Sequence, residues 1–272
     1  MNTPSFEALL TAVERTATDL CQKGWAERNA GNISIRLKPD EVDPYFMSTS
    51  PAEPLGVEAP HLATEHFLIT CSGSFMRNIA IAPSDNTGVI RIGVDGKTFQ
   101  RVWGFGRGAG PTSELPSHIR AHEARFIASS GEDRIIMHTH ALNVIALTNA
   151  FSLDSASLTR LLWESHSECI VVFPDGIALL PWLVPGGDEL ADATAKALET
   201  RRMVVWPIHG ILASGPDLDS VFGLIDTADK ASAIYLASSA FGPPRNKLSR
   251  EQLELLAKQF NLKPDLDAMA IK

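Results

Sequence analysis

Three histidines stand where strands could aim them at a common point. His138-Thr139-His140 closes the apolar run 135–137, and His209 follows a second apolar run, 204–208. Residues two apart on a strand project to the same face. Two imidazoles at one strand end can therefore grip a single ion, and a third from another segment would complete the set. Three protein nitrogens leave one coordination position open, which marks a catalytic rather than a structural zinc site. The plainer reading stands beside it: a histidine ending an apolar run is commonly a satisfied structural residue, and such pairs arise by chance. On these residues alone a metal site and its absence are equally open. A rival pair, His118 and His122, has the i, i+4 spacing that puts two rings on one helix face. It lacks the intervening glutamate of a protease helix, and a solvated role, or one supporting another group from behind, fits it better than ligation.

Glu114 is the carboxylate to single out next. It falls at a helix start, where the helix field favours the ionised form. By itself that is an ordinary helix-terminus acid. As a general base it needs only that the helix start and the histidine strand converge. Ser72-Gly73 after a strand, Thr112-Ser113 before a helix, and Asn29 and Asn32 around Gly31 each combine small polar side chains with backbone N–H groups that a turn can leave open. Anion-binding nests are built this way. Each is also what an ordinary turn looks like. No phosphate-binding glycine fingerprint of the nucleotide-binding kinds is present.

The elements that must carry these residues can be read from periodicity. Thr3-Pro4 reads as a cap and first helical position, followed by Phe6, Leu9, Leu10, Val13, Ala17 and Leu20 at helical spacing. Ile33, Ile35 and Leu37 alternate as a half-buried strand. Residues 38–65, rich in proline, serine and acids, read as a long surface loop, a candidate lid or subunit contact. Strands are expected at 67–70, 89–94 and 99–103, the last two joined by an Asp95-Gly96 turn. Pro116 places a helix start capped by Thr112 or Ser113, running to about Ser129. Beyond the histidine strand, a helix is expected at 141–150 and strands at 169–173 and 177–180 around Pro174-Asp175-Gly176. A helix at 188–202, strands at 203–206 and 211–213, a long helix at 217–239 and a last helix entered through Ser249–Gln252 as a capping box complete the chain. The expected fold class is mixed α/β, residues 1–272 forming one domain with a central, mainly antiparallel sheet covered by helices.

Bulk composition narrows the partners. The chain has 272 residues, 44% hydrophobic and 21% charged, enough for a sizeable core. Its 32 acidic and 24 basic residues give a net charge of -8, which argues against nucleic acid as partner but leaves room for a small anionic substrate. Cys21, Cys71 and Cys169 show no disulfide or metal spacing, and no signal peptide or membrane-spanning run is evident. A cytoplasmic protein without a membrane partner is expected.

Taken jointly, the segments Gly24-Trp-Ala-Glu-Arg-Asn-Ala-Gly-Asn32, Thr70-Cys-Ser-Gly73, Pro111-Thr-Ser-Glu-Leu-Pro116, Met137-His-Thr-His140, Val172-Phe-Pro-Asp-Gly176 and Trp206-Pro-Ile-His-Gly210 resemble the class II aldolase/adducin family, in matching order from about Cys21 to the C-terminus. The resemblance implies one zinc ion per subunit on His138, His140 and His209, and Glu114 as the catalytic acid/base. It implies that Asn29, Asn32, Ser72, Gly73, Thr112 and Ser113 hold the phosphate of a sugar-phosphate substrate. It further implies a cyclic homotetramer whose active sites lie at subunit boundaries, with Glu168 of a neighbouring chain assisting proton transfer. Glu168 is not a residue that spacing selects. Tracts 163–176 and 219–228 point, within that resemblance, to cleavage of L-rhamnulose 1-phosphate into dihydroxyacetone phosphate and L-lactaldehyde through an enediolate. Cleavage of fuculose 1-phosphate or another sugar phosphate, 4-epimerisation, dehydration and an adducin-like scaffold without catalysis remain as alternatives. Two departures stand out: Ala30 where the family pattern has glycine, and Ser74 where it has lysine.

Overall fold

The computed structural model describes residues 5–42, 46 and 50–271. Its strands are β1 (Asn32–Arg36), β2 (Glu53–Pro54), β3 (His66–Thr70), β4 (Thr87–Ile92), β5 (Thr98–Gly104), β6 (Ile135–Thr139), β7 (Ala178–Leu179), β8 (Met203–Trp206) and β9 (Gly210–Gly215). Its helices are α1 (Phe6–Gln22), α2 (Met76–Ile79), α3 (Pro83–Asn86), α4 (Leu115–Ala128), α5 (Leu142–Ala150), α6 (Ser155–Ser165), α7 (Ser167–Val172), α8 (Asp188–Leu198), α9 (Leu218–Ser239) and α10 (Arg250–Gln259). The strands form one sheet in the order β2-β5-β4-β3-β1-β6-β9-β8-β7, antiparallel throughout except for the β7–β8 pair. The expected mixed α/β class with a mainly antiparallel sheet is what the chain adopts.

Strand alternation sorts side chains onto two helical layers. Ile33, Ile35, Ile135, Met137, Val205, Ile211 and Ala213 pack on the side of α1, α5, α6, α7 and α9. Ile136, Val204, Trp206 and Leu212 face the opposite way with Leu190 and Leu198 of α8 and Ala121 of α4. Phe67, Ile69, Ile90 and Ile92 continue that second face against Leu115 and Ile119 of α4. The parity that sends Ile136 toward α4 and α8 also sends His138 there. No helix among the described residues is long and apolar enough to cross a membrane.

Several expectations change. β1 is buried on both faces, because Asn32 and Ser34 lie under α4 instead of facing solvent. Residues 169–172 belong to the short helix α7, with Phe173 as its C-cap; the helix buries Cys169 and Ile170 and leaves Val171 and Val172 half-buried. A short apolar run does not by itself separate strand from helix, and packing against α9 and α10 decides it here. The stretch 38–65 is not a plain surface loop. Glu41, 1% exposed, is gripped at both oxygens by Arg134 at 2.7 and 2.9 Å, and Leu55, Val57, Ala59 and Leu62 enter the core. Residues 43–45 and 47–49 of it lie outside the described residues, as do Thr3 and Pro4; Ser5 caps α1 by accepting from Ala8 N at 3.4 Å. The 217–239 helix and the Ser249–Gln252 capping box form as read.

Candidate metal centre and anion cleft

The cleft forms where β1, β6 and β9 lie side by side. Asn32 and His138 are opposite each other in the β1–β6 register, and His138 is opposite Leu212 in the β6–β9 register. His140 follows two residues later with the same parity. His209 sits in the tight connection between β8 and β9. There Ile208 adopts a left-handed backbone, φ 62°, which is costly for a β-branched residue. Its N–H is held by Thr148 Oγ1 at 3.1 Å, and the indole of Trp206 lies beneath the His209 ring, 5.2 Å between centroids and 29° from parallel. Trp206 is itself pinned by Nε1–H donation to Thr194 Oγ1 at 3.0 Å.

The three imidazoles offer nitrogens that all lie within 4.8 Å of one another. Two of the rings have their remaining nitrogen already committed. His138 Nδ1 donates to the Ile211 carbonyl at 3.0 Å, which leaves Nε2 as a lone pair toward the cleft. His140 Nδ1 lies 2.6 Å from Glu27 Oε1, so its Nε2 is likewise the open donor atom. Carboxylate and carbonyl partners of this kind fix the tautomer and raise ligand basicity. Burial, followed by the charges of His209 and His140, holds His138 well below the ordinary histidine range. Burial and then His140 lower His209 as well, while Glu114 and Glu27 oppose the shift. Pre-aimed imidazoles packed this closely are what a zinc-type cation requires, and the donor set fits one.

Asn29, Asn32, Ser72, Gly73, Thr112, Ser113 and Glu114 line the same cleft of about 210 Å³ as the three histidines. The helix start and the histidine strand do converge. Glu114, not Thr112 or Ser113, occupies the N-cap position of α4; Thr112 Oγ1 instead accepts from Glu114 N at 3.3 Å. Thr112 N and Ser72 N are consumed by carbonyls of Thr70 and Gly110, each at 2.9 Å. The N–H groups of Gly73 and Ser113 have no acceptor among the described residues, and both residues line the cleft. Gly73 achieves this with a left-handed φ of 71°. Ser74 is tied away to Asn86 Oδ1 at 2.6 Å, and Ala30 sits on the rim, its N–H closing a turn onto Glu27 O at 2.8 Å.

Glu168 does not join this cleft within one chain. It is an exposed residue in the first turn of α7 and does not precede a strand. His118 and His122, read as solvated or supporting, are fully enclosed beneath β1 and hydrogen-bonded to Ser34. Glu27 escapes sequence reasoning altogether. Nothing in its spacing singles it out, since its partner lies 113 positions away.

Residues 11–236 match the model of the Class II Aldolase and Adducin N-terminal domain. The chain is 44% identical over 260 residues to rhamnulose-1-phosphate aldolase of Escherichia coli (strain K12), covering 94% of this chain and 95% of that one. A sugar-phosphate aldolase from Thermotoga maritima superposes with a TM-score of 0.74 at 30% identity, over 86% of this chain and 96% of the other. An L-fuculose 1-phosphate aldolase at 21% identity shares the fold with a TM-score of 0.60, over 93% and 96% of the two chains. The family match covers most of the chain, and three histidines are assembled beside a carboxylate at a helix start: this chain belongs to the class II aldolase and adducin family.

Proposed function

We propose that this chain cleaves L-rhamnulose 1-phosphate reversibly into dihydroxyacetone phosphate and L-lactaldehyde. The observation that carries the reading is the 44% identity, sustained over 94% of the chain, to a rhamnulose-1-phosphate aldolase. The three-histidine cluster facing the Glu114 cleft supports it. His138, His140 and His209 would hold one zinc ion per subunit. A divalent cation there supplies Lewis-acid stabilisation to negative charge developing on a carbonyl oxygen. Glu114 moves the proton at the carbon that becomes nucleophilic in the condensation direction. The open N–H groups of Gly73 and Ser113, with the side chains of Ser72, Thr112, Asn29 and Asn32, hold the phosphate. That grip lies away from the breaking bond, so its binding energy goes into orientation.

The active form in this reading is a cyclic homotetramer with the cleft at a subunit boundary, where Glu168 of a neighbouring subunit would assist proton transfer. Leu142 and Ile208, 65% and 60% accessible and close in sequence to His140 and His209, are apolar surface that such a contact would cover. The three free thiols suit the cytoplasm, and the role is in rhamnose breakdown.

A coupled assay for dihydroxyacetone phosphate release tests the reading, with rhamnulose 1-phosphate and fuculose 1-phosphate as substrates and with and without chelator. Chelator-sensitive release from the rhamnulose ester is expected. Preference for the fuculose ester would favour another sugar-phosphate aldolase, a reading that the likeness to the Thermotoga maritima sugar-phosphate aldolase keeps open. Purified protein without zinc and without turnover would favour a scaffold.

A further inference from the structure

Ser34 lies in the middle of β1, and since Ile33 and Ile35 serve the larger core, its hydroxyl points under α4. There it meets two histidines that the helix presents one turn apart. Ser34 Oγ is 2.6 Å from His118 Nδ1 and 2.8 Å from His122 Nε2. The other nitrogen of His118, Nε2, bonds Asn32 Oδ1. Asn32 Nδ2 then donates to Glu114 Oε2 at 2.8 Å. The row begins in the interior, with Ser34 and His118 at 0% and His122 at 1% exposure, and ends at the wall of the cleft. Burying this many polar groups where α4 could have packed leucine is costly unless every one is paired.

Elementary donor rules fix the direction of every link. An ionised carboxylate only accepts, so Asn32 must offer it an N–H and is left with its carbonyl oxygen facing His118. His118 must then carry its proton on Nε2. Burial lowers this ring to about 4, so it is neutral at pH 7 and its Nδ1 is a lone pair. The Ser34 hydroxyl donates to that lone pair, and its oxygen accepts the Nε2–H of His122. All four hydrogen bonds run one way only, toward Glu114.

We propose that His118, Ser34 and His122 are positioning residues for Glu114, acting by locking the amide of Asn32. The proposal rests on the reading of Glu114 as the proton-moving group. An asparagine amide has two N–H donors. One is engaged by Glu114, and the locked orientation turns the other to the cleft, where the substrate phosphate binds in that reading. The same amide thus ties the anion grip to the acid. Without His118 the amide is free to flip, which sets its oxygen against the carboxylate, removes a donor from Glu114 and releases the rotamer on which proton transfer depends.

The test is a pair of substitutions. Leucine at 118 keeps the volume and removes the donor; glutamine restores an N–H near the position of Nε2. In the metal-loaded enzyme, His118→Leu should lower kcat about tenfold, the effect of roughly 1.4 kcal/mol at the transition state, and raise KM as the flipped amide withdraws its N–H from the phosphate, with zinc content little changed. His118→Gln should recover most of the rate. A packing role would rank the two the other way, because leucine is the better buried residue. In a Glu114→Gln background, His118→Leu should lower kcat no further. Equal rates for the two variants, or an undiminished loss in that background, overturns the proposal. A reading independent of turnover comes from the ¹⁵N spectrum of labelled histidine. His118 should be the Nε2-protonated neutral tautomer at pH 7. An Nδ1-protonated ring or an imidazolium refutes the positioning chain whatever the substrate proves to be, while a correct tautomer in an enzyme inert toward ketose 1-phosphates would fault only the functional reading.

Discussion

Gly210→Ala is the substitution that this geometry condemns most plainly. Gly210 opens β9 directly after His209, and its φ is not in the left-handed region, so an alanine could adopt the backbone there. Space is what forbids it. A Cβ on Gly210 would lie 2.5 Å from the Thr139 carbonyl oxygen, 2.9 Å from His138 Cε1 and 3.2 Å from His140 Cδ2, where ordinary contact begins at 3.4 Å. The first neighbour is backbone and cannot rotate aside. The ends of β6 and β9 would have to part by most of an ångström, at the Thr139–Ile211 rung and beside both histidines of the pair. Overpacking of this kind costs about 1–3 kcal/mol. In a chain of this size each kcal/mol lowers Tm by roughly 2–4 °C. Metal coordination tolerates only about ±0.2 Å, so zinc affinity should fall further, on the order of 10–100-fold.

The assay pairs thermal unfolding of metal-free protein with zinc competition against a chromophoric chelator. Gly223→Ala is the control: that glycine lies inside α9, a methyl group added there would meet nothing within 4 Å, and alanine should stabilise by about 0.5–1 kcal/mol. If Gly210→Ala matches the parent in both Tm and zinc affinity, the packing argument for the histidine pair is wrong.

Further outcomes follow from the same geometry. Glu114→Gln should retain zinc and lose most turnover, checked by elemental analysis beside the coupled assay; unchanged activity would remove Glu114 from the proton-transfer role. His209→Ala should abolish tight zinc binding. Glu27→Gln, which weakens only the partner of His140 Nδ1, should cost roughly 10–100-fold in affinity, read by the same competition. Stability of the metal-free protein should fall on acidification. Burial holds His118 at about 4 and His122 well below its ordinary value in the folded chain, so the unfolded chain takes up protons first. Stability is complete above pH ~6.5 and is lost as pH falls from there toward about 4, at up to ~1.4 kcal/mol per pH unit for each ring. Denaturant titrations at pH 7 and pH 5 should show this, and His118→Gln should flatten the slope; equal slopes would contradict it.

How much of this was legible beforehand depends on the range of the signal. The histidine pair and its strand were readable because strand parity is local. The capping box at Ser249, the Asp95-Gly96 turn and the long helix at 217–239 were readable for the same reason. The role proposed for Glu114 rests on family resemblance, not on spacing. The segment 38–65 misled because proline and acids dominate its composition, yet Leu55, Val57 and Ala59 alternate in sequence and do enter the core. Glu41 misled more deeply. An acid in a polar loop reads as solvated, and only Arg134, 93 positions away, makes its burial sustainable. In the 169–173 run a β-rich composition and a helical outcome were in direct conflict, and the neighbouring helices decided it.

The row of polar groups under α4 shows why the remainder was hidden. A polar residue on the inner face of a helix or strand reads locally as an error in the apolar pattern, and His118, His122, Asn32 and Ser34 are four such errors. They cancel only when β1 and α4 are superposed, 84 positions apart at the Ser34–His118 contact. Register fixes the rest. With Asn32 opposite His138, one rung of the sheet carries both the amide that holds the acid and a ring that would hold the metal. A shift of β1 by one residue would turn Asn32 and Ser34 to the far face and leave both α4 histidines buried without partners. The site therefore constrains the register as strongly as the register builds the site. The polar seam under α4 penalises strand slippage more severely than apolar residues in the same places could.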